Sequence, residues 1–441
     1  TNSISEGDTR ESSLDKIVHR GGKINFAVPS MPWPGEASVF VTLICITSQT
    51  RDCPLVINNS KVDYISTLFG NENEGLPMNL NNNCNLTFEG VKVYGKGFVL
   101  ETPVAEQLVK KSSKYQPHIK PYLSGDDLSN SPTHEHGRHV IYFENESEKQ
   151  LKEYPDLESI LLNEVKPERE KQRDKKAREF WWKYQRSRPN MHKAIENLDK
   201  VIAITKVSKA VSFAMVKTGP IMTNGIIVFA SKSEGLFVAL ESGIHNEWVR
   251  KYSSTLETRV RYAPSDVFET FPLPENFDLA IPLGHKFLSL RESLMRQKGI
   301  GLTKLFNEIN NPENQEQWIK SVREKIEQMD SLVLGLYSWN DIGLRHDFYE
   351  VDYLPENDRV RYTIHPEARK EVLKRLLLLN HERFEAEVAQ GLHKRKDVEA
   401  YYEQKGKPIP ESTLFSDGKA KKTTTRKPKV KMAAEPTPQY G

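Results

Sequence analysis

The sequence has few cysteines and no long apolar run, and each shortage argues against a class of protein. Its 441 residues include only three cysteines, with no C-x-x-C pair among them. This usage argues against a disulfide scaffold and a zinc knuckle, and a reducing, cytoplasmic location fits best. No apolar run approaches the roughly 18 residues that a membrane span needs. The first residues are polar, unlike a secretory signal, so we expect no membrane partner.

Familiar catalytic motifs are also missing. The sequence has no G-x-S-x-G nucleophile elbow, and Gly95–Gly97 is too short for a phosphate-binding loop. His134, His136 and His139 lie close together, but no carboxylate or cysteine of suitable spacing joins them. We therefore interpret them as turn histidines and predict no metal site. By itself, the chain shows no complete catalytic constellation.

The first hundred residues are rich in strand-forming patterns. Residues 22–28 predict a strand that ends at Pro29, and residues 37–46 form a nearly continuous apolar strand. Such a strand is typical of one buried on both faces inside an α/β sheet. Residues 91–100 predict a further strand, and residues 71–85 predict a loop because they are rich in Asn and Gly.

The rest of the chain changes character twice. Short strands are predicted at 140–143, 201–205, 211–216 and 225–230, with one charged helix over 164–186. Beyond the prolines at 272 and 274 the apolar period becomes helical, and Pro366 is placed to begin a helix. The stripe that defines the first of these helices is Trp318, Val322, Ile326, Met329, Val333 and Leu336. The end of the chain, rich in Lys, predicts a disordered basic tail.

Two basic segments suggest a polyanionic partner, although the net charge is only +3. On a single helix over 164–186, Arg169, Arg173 and Lys176 would share one stripe. The alternative is a solvated helix whose interleaved acids form ion pairs. Residues 248–262 combine guanidinium groups, hydroxyls and aromatic rings, which is the inventory for holding phosphates and reading guanine edges. On an extended segment Arg259 and Arg261 would point to the same side, the alternative being an ordinary amphipathic surface strand.

Several ordered motifs resemble one enzyme family. They are R-G-G-K-I-N-F-A at 20–27, W-P-G-E-A at 33–37, P-Y-L-S-G-D-D-L at 121–128, R-H-V-I-Y-F at 138–143, V-K-P-E-R at 165–169 and F-E-T-F-P-L-P at 268–274. Together they resemble the DNA adenine-N6 methyltransferases of the MmeI-like, type IIG/IIL restriction–modification group. The resemblance extends from Thr1 to about residue 393.

The resemblance implies a fold of several parts. Residues 1–100 would be an α/β remnant of a Rossmann-like methyltransferase sheet, and residues 101–275 an α+β target recognition domain. Residues 276–395 would form a helical domain, followed by a disordered basic tail over 396–441. The glycine-rich motif for S-adenosylmethionine and the Asn-Pro-Pro motif are absent and would lie upstream of Thr1. We therefore expect a C-terminal portion or a split-gene subunit that does not transfer a methyl group alone.

The resemblance also implies partners and site residues. The substrate would be duplex DNA with the target adenine extruded, and the catalytic partner an upstream methyltransferase segment or subunit. Trp33, with Met31, would form a wall of the adenine pocket, the alternative being a core tryptophan that closes the sheet. The residues predicted to contact DNA are Lys206, Lys209, Arg250, Lys251, Arg259, Arg261, Tyr262, Arg169, Arg173 and Lys176. Two other functions stay open: a non-catalytic DNA specificity subunit, and a helical interaction protein with an incidental basic tail.

Overall fold

The computed structural model describes most of the chain. The described residues are 2–5, 7–36, 39–48, 53–70, 75–256, 259–351, 354, 359–411 and 413–416. The chain divides into two compact units, residues 1–384 and residues 385–441. Among the described residues, no helix is long and apolar enough to cross a membrane.

Two helices and a small sheet form the first part of the chain. The elements in chain order are α1 (Gly7–Ser12), α2 (Leu14–His19), β1 (Lys23–Pro32), β2 (Phe40–Thr47), β3 (Leu55–Ile57) and β4 (Ser60–Val62). The strand order is β2-β1-β3-β4, with β1 antiparallel to β2 and parallel to β3. A small core of Leu14, Ile24, Ala27, Ile65 and Phe69 covers the sheet. This region is therefore a mixed sheet with its own apolar cluster.

Two predictions for this sheet are wrong in detail. Strand β1 continues through Pro29, because a bulge between Val28 and Met31 shifts the register there. A proline at a bulge does not have to donate a ladder hydrogen bond. Strand β2 lies at an edge of the described sheet and is not buried on both faces, since Leu43 is 53% exposed and Cys45 is also exposed.

The middle of the chain contains three sheets connected by short helices. Its elements are β5 (Thr87–Glu89), β6 (Val99–Glu101), α3 (Thr102–Lys111), β7 (Ile119–Leu123), α4 (Gly125–Asn130), β8 (Arg138–Ile141), α5 (Glu148–Leu151), α6 (Pro155–Ile160), α7 (Lys166–Glu170), α8 (Lys175–Glu179), α9 (Pro189–Ile195), β9 (Lys200–Thr205), β10 (Val207–Ser208), β11 (Phe213–Lys217), β12 (Ile221–Met222), β13 (Ile226–Phe229), α10 (Glu234–Glu241), α11 (Gly243–Tyr252), β14 (Ser254–Leu256), β15 (Arg259–Arg261) and α12 (Pro264–Val267). The sheet orders are β11-β9-β13-β5, β12-β7-β8-β6 and β10-β15-β14. The four strands predicted between residues 140 and 230 correspond to β8, β9, β11 and β13.

The sequence patterns were misleading at two places in this region. Residues 91–100 are not one strand, because isolated bridges at Val91 and Lys92 precede a 3-10 turn at Lys96–Phe98 and the short strand β6. Residues 164–186 are not one helix either. A π-helical turn over Leu161–Val165 joins α6 to α7, and the chain leaves the helix after Glu170.

Helices dominate the region after residue 275. The elements are α13 (Ile281–Lys298), α14 (Leu302–Ile309), α15 (Gln317–Leu336), β16 (Asp347–Glu350), β17 (Val360–Thr363) and α16 (Pro366–Ala389). The predicted apolar stripe is confirmed in α15, where Val322, Met329 and Val333 are fully buried, and α16 begins at Pro366 as predicted. These side chains pack in the same core as Trp248 of α11. The helices are thus packed directly against the middle of the chain.

The second unit contains α17 (Arg395–Gln404). Val398 and Tyr401 of this helix are buried, and His393 Nε2 lies 2.7 Å from a carboxylate oxygen of Glu387. The disordered tail predicted for 396–441 is therefore wrong for its first residues, because apolar side chains of α17 have packing partners. Residues 417–441, which carry the run of Lys, lie outside the described residues.

Candidate nucleic-acid interface

The small sheet of β10, β15 and β14 presents two arginines on one face. Val260 is buried in the core, whereas Arg259 is half-buried and Arg261 is exposed. In a strand, alternate side chains point to opposite faces, so Arg259 and Arg261 share the face away from the core. Arg261 pairs with Val207 on one side and with Ser254 on the other. The prediction of an extended segment here is confirmed for residues 259–261.

Arg250 and Lys251 lie on a helix rather than on that strand. Helix α11 begins where the hydroxyl of Ser242 accepts a hydrogen bond from the amide of His245, and both cations are in its last turn. Cations at this end complement the helix dipole. The Arg250 guanidinium donates to Asn246 Oδ1 at 2.8 Å and reaches the Lys209 carbonyl oxygen at 3.4 Å. These contacts bring Arg250 beside Lys209.

Lys206 connects β9 to the arginine-bearing sheet. Its carbonyl oxygen accepts a hydrogen bond from the amide of Tyr262 at 2.8 Å, directly beside Arg261. The Lys206 ammonium forms an ion pair with Glu89, and the other oxygen of Glu89 pairs with Arg188. Two cations therefore share one carboxylate, which lies 99 positions before Arg188 and 117 positions before Lys206 in the sequence.

Further cations extend this surface, and sequence reasoning missed them. Lys92 and Arg186 form an antiparallel bridge, with N···O distances of 3.0 and 3.2 Å, two residues before Arg188. The signal that could have found them is the repeated spacing Arg-x-Arg, which occurs at 186–188 as well as at 259–261. We define the basic track as Lys92, Arg186, Arg188, Lys206, Lys209, Arg250, Lys251, Arg259 and Arg261.

Two predicted contact residues are buried instead. Tyr262 is 1% exposed, and its hydroxyl lies 3.0 Å from His245 Nε2, so burial raises the pKa of Tyr262. Arg169 is fully buried, and its Nη2 donates to the carbonyl oxygens of Val93 at 2.9 Å and Lys183 at 3.0 Å. The prediction of direct DNA contacts by these two side chains is wrong, because both side chains are enclosed in the core.

Arg173 and Lys176 do not share a helical stripe with Arg169. Arg173 lies between α7 and α8, and Lys176 is in α8, where the side chain of Asp174 caps the helix by accepting from the Lys176 amide at 3.0 Å. Both cationic side chains are exposed. They are available to solvent, but the continuous helix that would have aligned them with Arg169 does not exist.

The predicted base-pocket residues lie at the turn between β1 and β2. Trp33 is 50% exposed, and its amide donates to the carbonyl oxygen of Val39 at 2.9 Å, while Met31 pairs with Val41. The alternative of a core tryptophan is not found. A contact of Trp33 or Met31 with an extruded base stays a prediction.

One family model matches the region that contains the basic track. Residues 78–275 match the family model described as MmeI, target recognition domain. The fold also resembles a structure of the type IIL restriction–modification enzyme MmeI in complex with DNA, with a TM-score of 0.65 and 15% sequence identity. The similarity covers 87% of this chain and 49% of that chain, so this chain spans about half of the solved structure. No curated protein matches the sequence.

Proposed function

We propose that residues 78–275 act as a target recognition domain of the MmeI type, and that this chain binds duplex DNA and reads a short sequence for a restriction–modification enzyme. The basic track is the observation that carries this proposal. All of its cations lie within the matched residues, from Lys92 to Arg261. Lys and Arg on one surface supply the phosphate contacts that position a protein on a duplex.

The cations of the basic track differ in whether a carboxylate of the protein binds them. The Arg261 side chain is exposed and forms no ion pair or hydrogen bond with the part of the chain that the structure describes. Arg188 and Lys206, by contrast, are oriented by Glu89. An exposed guanidinium without a carboxylate partner suits a phosphate, since it keeps its full charge for a polyanion.

The proposal extends to methylation of the bound DNA at adenine N6. S-adenosylmethionine would be the methyl donor, as the family resemblance implies. The described residues 2–70 do not fit this cofactor, because α1 and α2 precede β1 and no glycine-rich turn there leads from a strand into a helix. Another segment or chain would have to hold the cofactor. The exposed indole of Trp33 is suited to stack on an extruded base.

The DNA-binding proposal is tested by titrating the full chain into labelled duplexes at several salt concentrations. We expect affinity to fall steeply with salt, and Arg261→Ala to weaken binding to all sequences and lower the salt slope by about one. We expect the same two changes for Arg259→Ala, which removes the half-buried arginine on the same strand.

Lys232→Ala is the matched control for these variants. Lys232 pairs with Asp199 at the beginning of β9, whereas Lys206 follows the end of that strand. We expect this control to bind like the unmodified chain. Undetectable binding at low ionic strength, or binding that does not depend on salt, would contradict the proposal.

A further inference from the structure

Arg188 has a backbone conformation that few arginines adopt. Its φ is +57° and its ψ is +54°, in the left-handed region, and Pro189 follows it at the beginning of α9. For a residue with a long side chain this conformation is strained relative to the ordinary regions. It persists only where surrounding contacts hold it. Here the carbonyl oxygen of Arg188 accepts from the amides of Met191 at 3.0 Å and His192 at 3.2 Å, and its side chain contacts Glu89 and Gly90, almost a hundred residues earlier in the chain.

The hydrogen bonds of the Arg188 guanidinium leave one edge of the group available. Nη2 donates to Glu89, and Nε approaches the carbonyl oxygen of Gly90 at 3.4 Å. Among the described residues, no acceptor bonds Nη1, and the side chain is 28% exposed. The edge formed by Nη1 and Nη2 therefore still offers two parallel N–H donors. That pair of donors matches the O6 and N7 acceptors of guanine in the major groove.

Glu89 makes a phosphate an unfavourable partner for this arginine. A carboxylate bonded to the guanidinium would lie close to any phosphate that Arg188 held, and the two negative charges would repel. A neutral base edge does not meet this repulsion. The same carboxylate restricts the rotamers of Arg188 before DNA arrives, which lowers the entropy lost on binding. Lys206 compensates the charge of Glu89 through the other carboxylate oxygen.

We infer that Arg188 is a specificity-determining residue that donates two hydrogen bonds to one guanine, and that Glu89 is its positioning residue. This inference rests on the proposed DNA-binding function and names one base that the surface reads. Arg188 and Arg261 then have different tasks, although both belong to the basic track. Arg188 selects a base because a carboxylate orients it, and Arg261 contributes to affinity for any sequence.

The test is selection from a library of random duplexes by the full chain and its variants, followed by sequencing of the bound DNA. Arg188→Lys keeps the charge but removes the two-donor edge, and Glu89→Gln keeps the shape but weakens the orientation. We expect each variant to lose the preference for guanine at one position of the selected sequence by about tenfold or more, with the other positions unchanged. Lys232→Ala should select the same sequence as the unmodified chain.

The possible results separate this inference from the proposed function. Identical sequences selected by the unmodified chain, Arg188→Lys and Glu89→Gln would overturn the role of Arg188 while leaving DNA recognition intact. Binding without any selected sequence would also overturn it. An unmodified chain that does not bind DNA at low salt would overturn the proposed function as well. Thermal unfolding checks that each variant is folded. If one variant is not folded, the sequence selected by the other variant decides the role of Arg188.

Discussion

Arg261 of the basic track differs from Arg291 of the core in how many of its donors the protein uses. Arg261 is exposed on β15, and no hydrogen bond of its side chain is found within the described part of the chain. Arg291 of α13 is 2% exposed, and it donates to Glu241 at 3.0 Å and to the carbonyl oxygen of Phe213 at 2.6 Å. Carbonyl and carboxylate groups consume N–H donors of Arg291, whereas Arg261 keeps its donors available for the DNA contact that we propose.

The core arginines connect elements that are far apart in the sequence. Arg291 joins α13 to β11 and to the end of α10, and its charge opposes the rise in the pKa of Glu241 that burial causes. Arg323 of α15 donates to four carbonyl oxygens of residues 308–314, at distances between 2.8 and 3.3 Å. These bonds close the turn between α14 and α15. The core arginines thus hold the helices in place against the region that carries the basic track.

Arg291→Met should have the largest effect on stability. The substitution leaves Glu241 buried without its cation, and breaking a buried ion pair in this way costs about 3–5 kcal/mol. Urea unfolding of the full chain would measure the loss. As a control, Arg345→Ala removes an exposed ion pair with Glu367 and should leave the transition unchanged. Equal transitions for Arg291→Met and the unmodified chain would show that the pair is not needed for folding.

Arg169→Met should have the next largest effect. It removes two hydrogen bonds to buried carbonyl oxygens and the contact of the guanidinium with the rings of Tyr94 and Phe98, at 5.6 and 5.7 Å. We expect a loss of about 2 kcal/mol in the free energy of unfolding, and no change in the salt slope of DNA binding. A lower salt slope with unchanged stability would instead restore the original interpretation of Arg169 as a surface residue.

The contrast between Arg169 and the strands shows what the sequence could predict. Helix α15 follows the period of 3.6 residues, and strand β9 is a short apolar run between Lys200 and Thr205, so both elements could be identified from the sequence. The single helix predicted over 164–186 could not be excluded from the period of its apolar residues, because acids and bases alternate on every face of it. Pro167 cannot donate a backbone hydrogen bond, which accords with the π-helical turn just before it. Only the packed structure shows that Arg169 lies inside.

The part of the candidate site that depends on the alternation of side chains along one strand could be predicted from the sequence. Arg259 and Arg261 share a face because they are two residues apart on a strand. Tyr262 could not be assigned to the core from its neighbours in the sequence, since its ring packs against Phe213 of β11 and Phe229 of β13. The pairing of Arg188 with Glu89 joins residues 99 positions apart, so no short sequence pattern reports it.

Acidification should destabilise the fold through two histidines that burial keeps neutral. Burial lowers the pKa of His245 to about 3, and burial together with the charge of Arg291 lowers the pKa of His134 to about 4. In the unfolded chain both would bind protons below about pH 6.5. The unfolded state therefore binds more protons in this range, and the free energy of unfolding falls as pH falls below about 6.5, by up to about 1.4 kcal/mol per pH unit for each histidine.

His134→Gln measures one of these contributions separately. The ring Nδ1 of His134 lies 2.9 Å from the carbonyl oxygen of Leu128, and an amide can donate the same hydrogen bond without titrating. Urea unfolding at pH 7 and pH 5 should show a smaller loss for this variant than for the unmodified chain. Because other groups titrate equally in both proteins, they cancel in the difference. Equal losses would mean that His134 is accessible to protons in the folded state.

Arg173→Ala should have the smallest effect, and it completes the comparison with Arg169 four residues earlier. Arg173 is exposed between α7 and α8, so its removal should change the free energy of unfolding by less than about 0.5 kcal/mol. It is not part of the basic track, and screening limits its action on distant phosphates, so DNA binding should weaken by less than about twofold. Titration of labelled duplex beside Arg261→Ala would measure this. A loss as large as that of Arg261→Ala would extend the DNA-binding surface to α8, and Lys176 would then belong to it as well.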